Sequence, residues 1–211
     1  MERYTFAMQI KLGMQNEFRS GLGKIWMDML CVMNAQRMEN FSLWQAADLV
    51  FGYYEAEKTP EHEKLEAVLV KMQECFEWLA KPGNHMRLMY QDFGVVRKEK
   101  ALIRHRMFMT KLKPGCEEEY KRRHDALVEA RGDKITLGPD SNFSIWCAGG
   151  YIFGYDEIDT TMEVEESKEA REATIAWESR QLEIMDWITN DVDWLTGQHH
   201  PASVRLAWHN G

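Results

Sequence analysis

The chain repeats itself. Asn40-Phe41-Ser42-Leu43-Trp44 through Phe51-Gly52-Tyr53-Tyr54-Glu55 returns as Asn142-Phe143-Ser144-Ile145-Trp146 through Phe153-Gly154-Tyr155-Asp156-Glu157, at a constant offset of 102 positions and without a gap. Nine of the 16 aligned positions are identical, where unrelated segments of ordinary composition would share about one. The same offset sets Phe6 on Phe108, Glu17 on Glu119, Phe18 on Tyr120 and Leu22 on His124. Self-similarity at a fixed period marks a tandem duplication, so any fold assigned to one half must serve the other. The repeats are placed at 1–98 and 99–211, with the charged run Arg97-Lys98-Glu99-Lys100 as the linker.

Within the first repeat, Phe6, Met8 and Ile10 alternate with polar residues, which predicts a strand over Tyr4 to Lys11. From Gln15 to about Met33, Phe18, Leu22, Ile25, Trp26, Met29 and Leu30 recur at helical spacing. Gly21 and Gly23 fall inside that pattern, each costing about 1 kcal/mol relative to Ala, and predict a bent or shortened helix. Phe41–Leu43 and Leu49–Tyr54 read as strands joined by a tight turn at Ala46-Ala47-Asp48. Pro60 opens a long helix to about Trp78, with Leu65, Val68, Leu69, Met72, Phe76 and Leu79 on one stripe. Lys81-Pro82-Gly83-Asn84 stops it, and Met86 to Phe93 is the last strand. The order β-α-β-β-α-β is the ferredoxin-like arrangement. The second repeat copies it with a strand ending at Leu112, a helix from Gly115, strands at Phe143 and Tyr151–Ile158, a helix to about Thr189 and a strand at Ser203–Trp208. One such unit covers a single face of its sheet with helices. An α+β fold of two fused repeats packed sheet to sheet, a pseudo-dimer within one chain, is therefore expected.

Composition narrows the partners. A net charge of −8 argues against nucleic acid and anionic membranes. No apolar run approaches the roughly 18 residues of a membrane span, and the N-terminus has no signal-like apolar segment, so a cytoplasmic protein is expected. Cys31, Cys75, Cys116 and Cys147 are scattered without a CxxC pair, which suits free thiols better than disulfides or zinc. His199-His200 could join His105 or His209 in a metal site, but no ligand spacing is recognisable; Asp191 and Asp193 read as solvated. No metal and no cofactor are expected.

The chemistry concentrates between Leu112 and Asp125. Lys113-Pro114-Gly115 is turn chemistry. Glu117, Glu118 and Glu119 then precede Lys121, Arg122 and Arg123, a charge order that suits a helix dipole. On that helix Tyr120 and His124 are four residues apart and share a face. A phenol beside an imidazole can hold a hydroxylated ligand and move a proton near neutral pH; a surface pair on an ordinary amphipathic helix has the same spacing.

Leu-Lys-Pro-Gly, Glu-Glu-Tyr and Arg-Arg-His, followed by Asn-Phe-Ser-Ile-Trp and Phe-Gly-Tyr-x-Glu, resemble the L-rhamnose mutarotase family of dimeric α+β barrels, and the resemblance runs through both halves. It implies a cofactor-free enzyme interconverting sugar anomers, with His124 as the proton-transfer residue and Tyr120 holding the sugar. Each half would stand for one subunit, leaving further homo-oligomers open. By their chemistry Arg123 could fix a sugar hydroxyl, or be a solvated helix arginine, and Trp146 and Trp187 could stack on the sugar's apolar face, or simply fill the core. Departures accompany the resemblance. Phe18 and Leu22 replace the tyrosine and histidine in the first half, so only the second half should present a polar cleft. Ala126-Leu127-Val128 replaces the Ile-Trp-Pro that usually follows the histidine, Phe41 and Phe143 stand where the family has a sugar-contacting tyrosine, and an adjacent tryptophan pair is missing. The expected function is a sugar mutarotase for L-rhamnose or a related monosaccharide. The alternative is a non-catalytic sugar-binding or interaction protein, with a small monooxygenase a third reading by fold analogy.

Overall fold

The computed structural model describes residues 1–135, 137–162, 165, 167–189 and 203–211. The first repeat runs β1 (Glu2–Ile10), α1 (Gln15–Gln36), β2 (Glu39–Ala46), β3 (Leu49–Ala56), α2 (His62–Leu69), β4 (Phe76–Gly83) and β5 (Arg87–Asp92). The second runs β6 (Ile103–Leu112), α3 (Glu117–Arg131), β7 (Asp140–Ala148), β8 (Tyr151–Asp159), α4 (Lys168–Gln181), β9 (Met185–Thr189) and β10 (Val204–His209). Two antiparallel five-stranded sheets result, ordered β10-β2-β3-β1-β4 and β5-β7-β8-β6-β9. The orders match strand for strand under the duplication. The fold is α+β, built of two fused ferredoxin-like repeats.

The repeats exchange their final strands. β10 pairs with β2, and β5 pairs with β7. The compact units are consequently residues 1–86 with 204–211, and residues 87–203. The repeat boundary at 98/99 divides the sequence, while the spatial division falls elsewhere. Nor is the charged run beside it a solvated linker throughout: Lys100 is buried, with its ammonium 2.5 Å from Glu157.

Two strands were not expected. The long second helix is shorter than its apolar stripe suggests. α2 ends at Leu69, a tight 3-10 stretch follows, and Met72 leaves helical geometry (φ −119°, ψ 24°). Phe76–Gly83 then runs extended as β4, and Met185–Thr189 forms its counterpart β9. Met72, Phe76 and Leu79 satisfy a helical period, but Phe76 buried beside Glu77 exposed satisfies the strand period equally. Trp187 is therefore a strand residue. It lies opposite Thr110 just as Trp78 lies opposite Met8, the position 102 residues earlier.

Nor is α1 interrupted or shortened at its glycines. It continues to Gln36 because Phe18, Leu22, Ile25, Met29 and Met33 bury one continuous stripe, and tertiary packing outweighs propensity. A Cβ at Gly21 would sit 3.3 Å from Met72, so this glycine lets the neighbouring turn close in.

The repeated sequence encodes the strand pair at the centre of each unit. Asn40 and Asn142 take positive φ (48° and 53°) where β2 and β7 shift register against β3 and β8. Each asparagine donates its amide to a buried glutamate, Asn40 to Glu55 at 2.9 Å and Asn142 to Glu157 at 3.0 Å. Tyr53 and Tyr155 donate their hydroxyls to the same carboxylate oxygens at 2.8 and 2.9 Å. The glycines between make room for an aromatic ring: a Cβ at Gly52 or Gly154 would meet Phe6 or Phe108 at 2.1 Å.

An expected asymmetry follows. Phe6 is fully buried among Phe41, Tyr54 and Trp78 and has nowhere to go. Phe108 is half-buried and can yield. Gly52→Ala should cost about 3 kcal/mol or more and Gly154→Ala nearer 1, read as a larger drop in the urea midpoint for the first.

Candidate functional site

Helix α3 is placed by charge as well as by its apolar face. Arg87 on β5 bridges Glu117 at 3.0 Å and Glu118 at 2.5 Å, which docks the acidic first turn. The face turned inward carries Tyr120, Arg123 and His124. The rings of Tyr120 and His124 stack, with centroids 4.2 Å apart and planes 27° apart. His124 Nδ1 lies 2.9 Å from the Tyr120 carbonyl oxygen. A carbonyl only accepts, so Nδ1 carries the proton and Nε2 presents a lone pair.

Around the imidazole stands an aromatic wall. Trp177 on α4 meets it edge-on at 5.3 Å and Tyr90 on β5 at 5.5 Å. Tyr90 leads to Phe143 (5.5 Å), Phe143 to Phe108 (6.4 Å) and Phe108 to Trp187 (5.7 Å). Phe108 and Phe143 are only partly buried, whereas their counterparts Phe6 and Phe41 are fully buried. In the first unit Phe18 and Leu22 occupy the Tyr120 and His124 positions inside an unbroken apolar cluster. At these two positions the second unit sets an imidazole beside half-open aromatic surface; the first unit's His62 lies elsewhere, 2.7 Å from the Tyr54 hydroxyl and packed on Tyr4.

Burial sets the protonation. It pulls His124 down to about 4, so the imidazole is neutral at physiological pH. This corrects the expectation of an unperturbed histidine: the group is a resident base, and its acid form exists only after it has taken a proton. Burial, reinforced by the Glu178 carboxylate, raises the Tyr120 phenol well above its ordinary value. Glu178 on α4 is itself pushed up to about 7, by burial against the opposing pull of Arg106. Asp156 on β8 shifts upward by burial although Arg106 pairs with it at 2.8 Å, and Asp140 adds to the rise.

Not every expected site residue converges here. Trp187 joins through Phe108. Arg123 does not reach the cleft: its guanidinium binds Glu119 and Glu183, both at 2.8 Å, and the Arg180 carbonyl, bracing α3 to the end of α4. Trp146 is on the opposite face of β7 from Phe143, Ile145 and Cys147, with its indole N–H bonded to Ser144 at 3.0 Å. Sequence reasoning missed Tyr90, because strand exchange brings it from the first repeat, and the acidic group Asp156–Glu178. His105 contacts Tyr155 in the second unit, and His209 donates to Asn34 at 3.0 Å in the first. His199, His200, Asp191 and Asp193 lie outside the described residues. Among the described residues, no group of three or more His, Cys, Asp or Glu side chains is placed to hold a metal ion, and no helix is long and apolar enough to cross a membrane.

Fold and site together define a tandem ferredoxin-like protein in which a stacked Tyr–His pair in the second unit stands where the first unit has Phe18 and Leu22. The chain belongs to the L-rhamnose mutarotase family, whose sequence model matches it twice, over residues 3–100 and 105–207. No curated protein matches the chain. Among solved structures, it is similar to a candidate monooxygenase from Fusobacterium nucleatum at 7% identity, covering 99% of this chain and 93% of that one, with a TM-score of 0.44. It is also similar to an anthrone oxidase-like protein at 11% identity, covering 87% and 86%, with a TM-score of 0.44.

Proposed function

We propose that the protein is a sugar mutarotase acting on L-rhamnose or a related neutral monosaccharide, with the second unit as its sole active site. The observation that supports this best is the buried, neutral His124, whose tautomer is set by the Tyr120 carbonyl and whose ring stands among Tyr120, Tyr90 and Trp177. Mutarotation needs a proton removed from the anomeric hydroxyl and one delivered to the ring oxygen. Nε2 takes the first as the O–H bond breaks. The imidazolium then gives its proton to the ring oxygen as the C1–O5 bond breaks and the aldehyde forms. Rotation about C1–C2 and the reverse sequence return the other anomer, with the imidazole regenerated. The sugar's apolar face rests on Phe143, Phe108 and Trp187, where C–H groups meet ring faces. Tyr120 supports the imidazole from below by stacking.

The test is saturation-transfer NMR between the α and β anomeric protons of L-rhamnose, L-fucose and related sugars. Accelerated exchange is expected with no added metal or cofactor. Exchange at the uncatalysed rate for the whole panel, with binding retained, would leave a sugar-binding protein instead.

The acidic limb of the rate is a separate expectation. Because burial lowers His124, its basic form persists well below the usual histidine range. At saturating sugar, where titration of the binding carboxyls no longer limits the rate, exchange should stay level from about pH 7 to about pH 5 and be half lost near 4. An acidic limb centred near 6.5, the ordinary value for a solvated imidazole, would show that the base is not this buried histidine.

A further inference from the structure

The inner stripe of α4 is polar where α2 is apolar. α2 buries Leu65, Val68 and Leu69, whereas α4 buries Gln181 and half-buries Trp177 and Glu178. Residues 177, 178 and 181 share one helical face. On that face, among the described residues, Glu178 Oε2 and both polar atoms of Gln181 are buried without a hydrogen-bond partner. Gln181 is 2% exposed. Asp156, 1% exposed and beside Asp140, spends one oxygen on Arg106, and its Oδ1 finds no hydrogen-bond partner among the described residues. The Trp187 indole N–H is buried and likewise unpartnered. Asp156 shares its side of β8 with Gly154, over which Phe108 lies, so all these groups belong to the helix side of the second sheet. In the first unit the corresponding unsatisfied atoms, on Thr5, Ser42 and Trp44, lie on the sheet's other face.

A buried polar atom without a partner costs about 1–3 kcal/mol. Several gathered on one side of one sheet, beside a half-open aromatic wall, describe a site whose partners arrive with a ligand. The two carboxyls and the Gln181 oxygen accept; the Gln181 amide and the Trp187 indole donate. A ligand that satisfies both kinds at once is a carbon ring bearing several hydroxyls, since each hydroxyl donates and accepts. A sugar carrying a phosphate or a carboxylate brings further negative charge to a cluster of carboxyls where burial already disfavours charge, having raised both Asp156 and Glu178.

We propose that Glu178 and Gln181, with Asp156, form the hydroxyl-binding subsite of this cleft and determine its selectivity for neutral over anionic sugars. These residues stand where the first unit has other chemistry: the counterpart of Asp156 is Tyr54, whose hydroxyl bonds His62 at 2.7 Å. The subsite rests on the mutarotase reading for its ligand class but not for its detection, because binding is measured without turnover.

The experiment is ligand-detected NMR titration of the full chain with L-rhamnose, with its single deoxy analogues and with a uronate. Wild type, Glu178→Gln and Gln181→Leu are compared. Gln181→Leu is the decisive variant, because replacing an unsatisfied buried amide by an alkyl group of similar size should raise the thermal midpoint while weakening the sugar about tenfold. Glu178→Gln should weaken it by a similar factor, at least one deoxy analogue should lose as much on wild type, and the uronate should bind more weakly than L-rhamnose. Unchanged affinity in both variants, or equal binding of every deoxy analogue and the uronate, overturns the subsite. Wild type that binds without accelerating exchange defeats the mutarotase reading and leaves the subsite standing. Accelerated exchange with indifferent variants does the reverse.

Discussion

Replacing His124 by leucine should abolish accelerated anomer exchange and leave a folded, somewhat more stable protein. Leucine is what the first repeat carries at the equivalent position, where Leu22 packs in the apolar cluster with Phe18 and Ile25. The substitution therefore copies an arrangement that this fold already accommodates. His124 is 4% exposed and held in a form that burial disfavours once charged, so its removal relieves a polar group in an apolar setting. The proton-transfer contribution lost is about 10²–10⁴-fold, which would bring the rate to or near background. Tyr120→Phe keeps the stacked ring and should cost far less, about fivefold or below, since it removes at most one hydrogen bond. The reverse change separates position from context. Leu22→His sets an imidazole where Phe18, not tyrosine, lies beside it and no open aromatic wall adjoins, so it should destabilise by about 1–3 kcal/mol without creating a second active unit. Retained exchange in His124→Leu would remove the mutarotase mechanism outright.

What could be read from the sequence, and what could not, divides along the period of the side chains. The duplication was visible because the central hairpin of each unit has little freedom. Its asparagine needs positive φ, its glycine sits beneath an aromatic ring and its Tyr–Glu pair is buried, so both copies keep the same letters. β4 was hidden because Met72, Phe76 and Leu79 follow a helical period, and the strand signal, buried Phe76 beside exposed Glu77, rests on a single pair of residues. Strand exchange was invisible, since nothing local distinguishes Arg87–Asp92 pairing with β7 from pairing within its own repeat. The Tyr120–His124 pair was legible from an i,i+4 spacing on a helix whose inward face holds it. Trp146 was misplaced by proximity in sequence: three residues from Phe143, it lies on the other side of a two-period strand. Glu178 and Gln181 were overlooked because polar residues on a helix ordinarily face water. The signal was present in comparison, since the buried stripe Leu65, Val68, Leu69 of α2 gives way along Lys168–Gln181 to a face on which Gln181 is the buried residue and Glu178 is half-buried.

The hub of the second sheet should prove the most sensitive single point for stability. Glu157 is fully buried and accepts from Asn142 at 3.0 Å and Tyr155 at 2.9 Å through one oxygen, while its other oxygen holds the Lys100 ammonium at 2.5 Å. Glu157→Gln keeps an acceptor for Asn142 and Tyr155 but turns an amide donor toward a buried cation. Removing one member of a buried pair strands the other charge, at a cost of about 3–5 kcal/mol. The loss should appear as a fall in the urea midpoint at constant slope. Lys100→Met alone leaves the carboxylate stripped of its cation but still hydrogen-bonded twice, so its cost should be smaller. In the double variant the stranded charge is gone, the two hydrogen bonds to Asn142 and Tyr155 persist, and most of the lost stability should return. The coupling read from that cycle should be about 2 kcal/mol or more, as expected for contacting partners in one network. Additive losses would mean that the ammonium finds water or another acceptor once Glu157 is neutral, and that the pair is not what fixes Lys100 beneath the sheet.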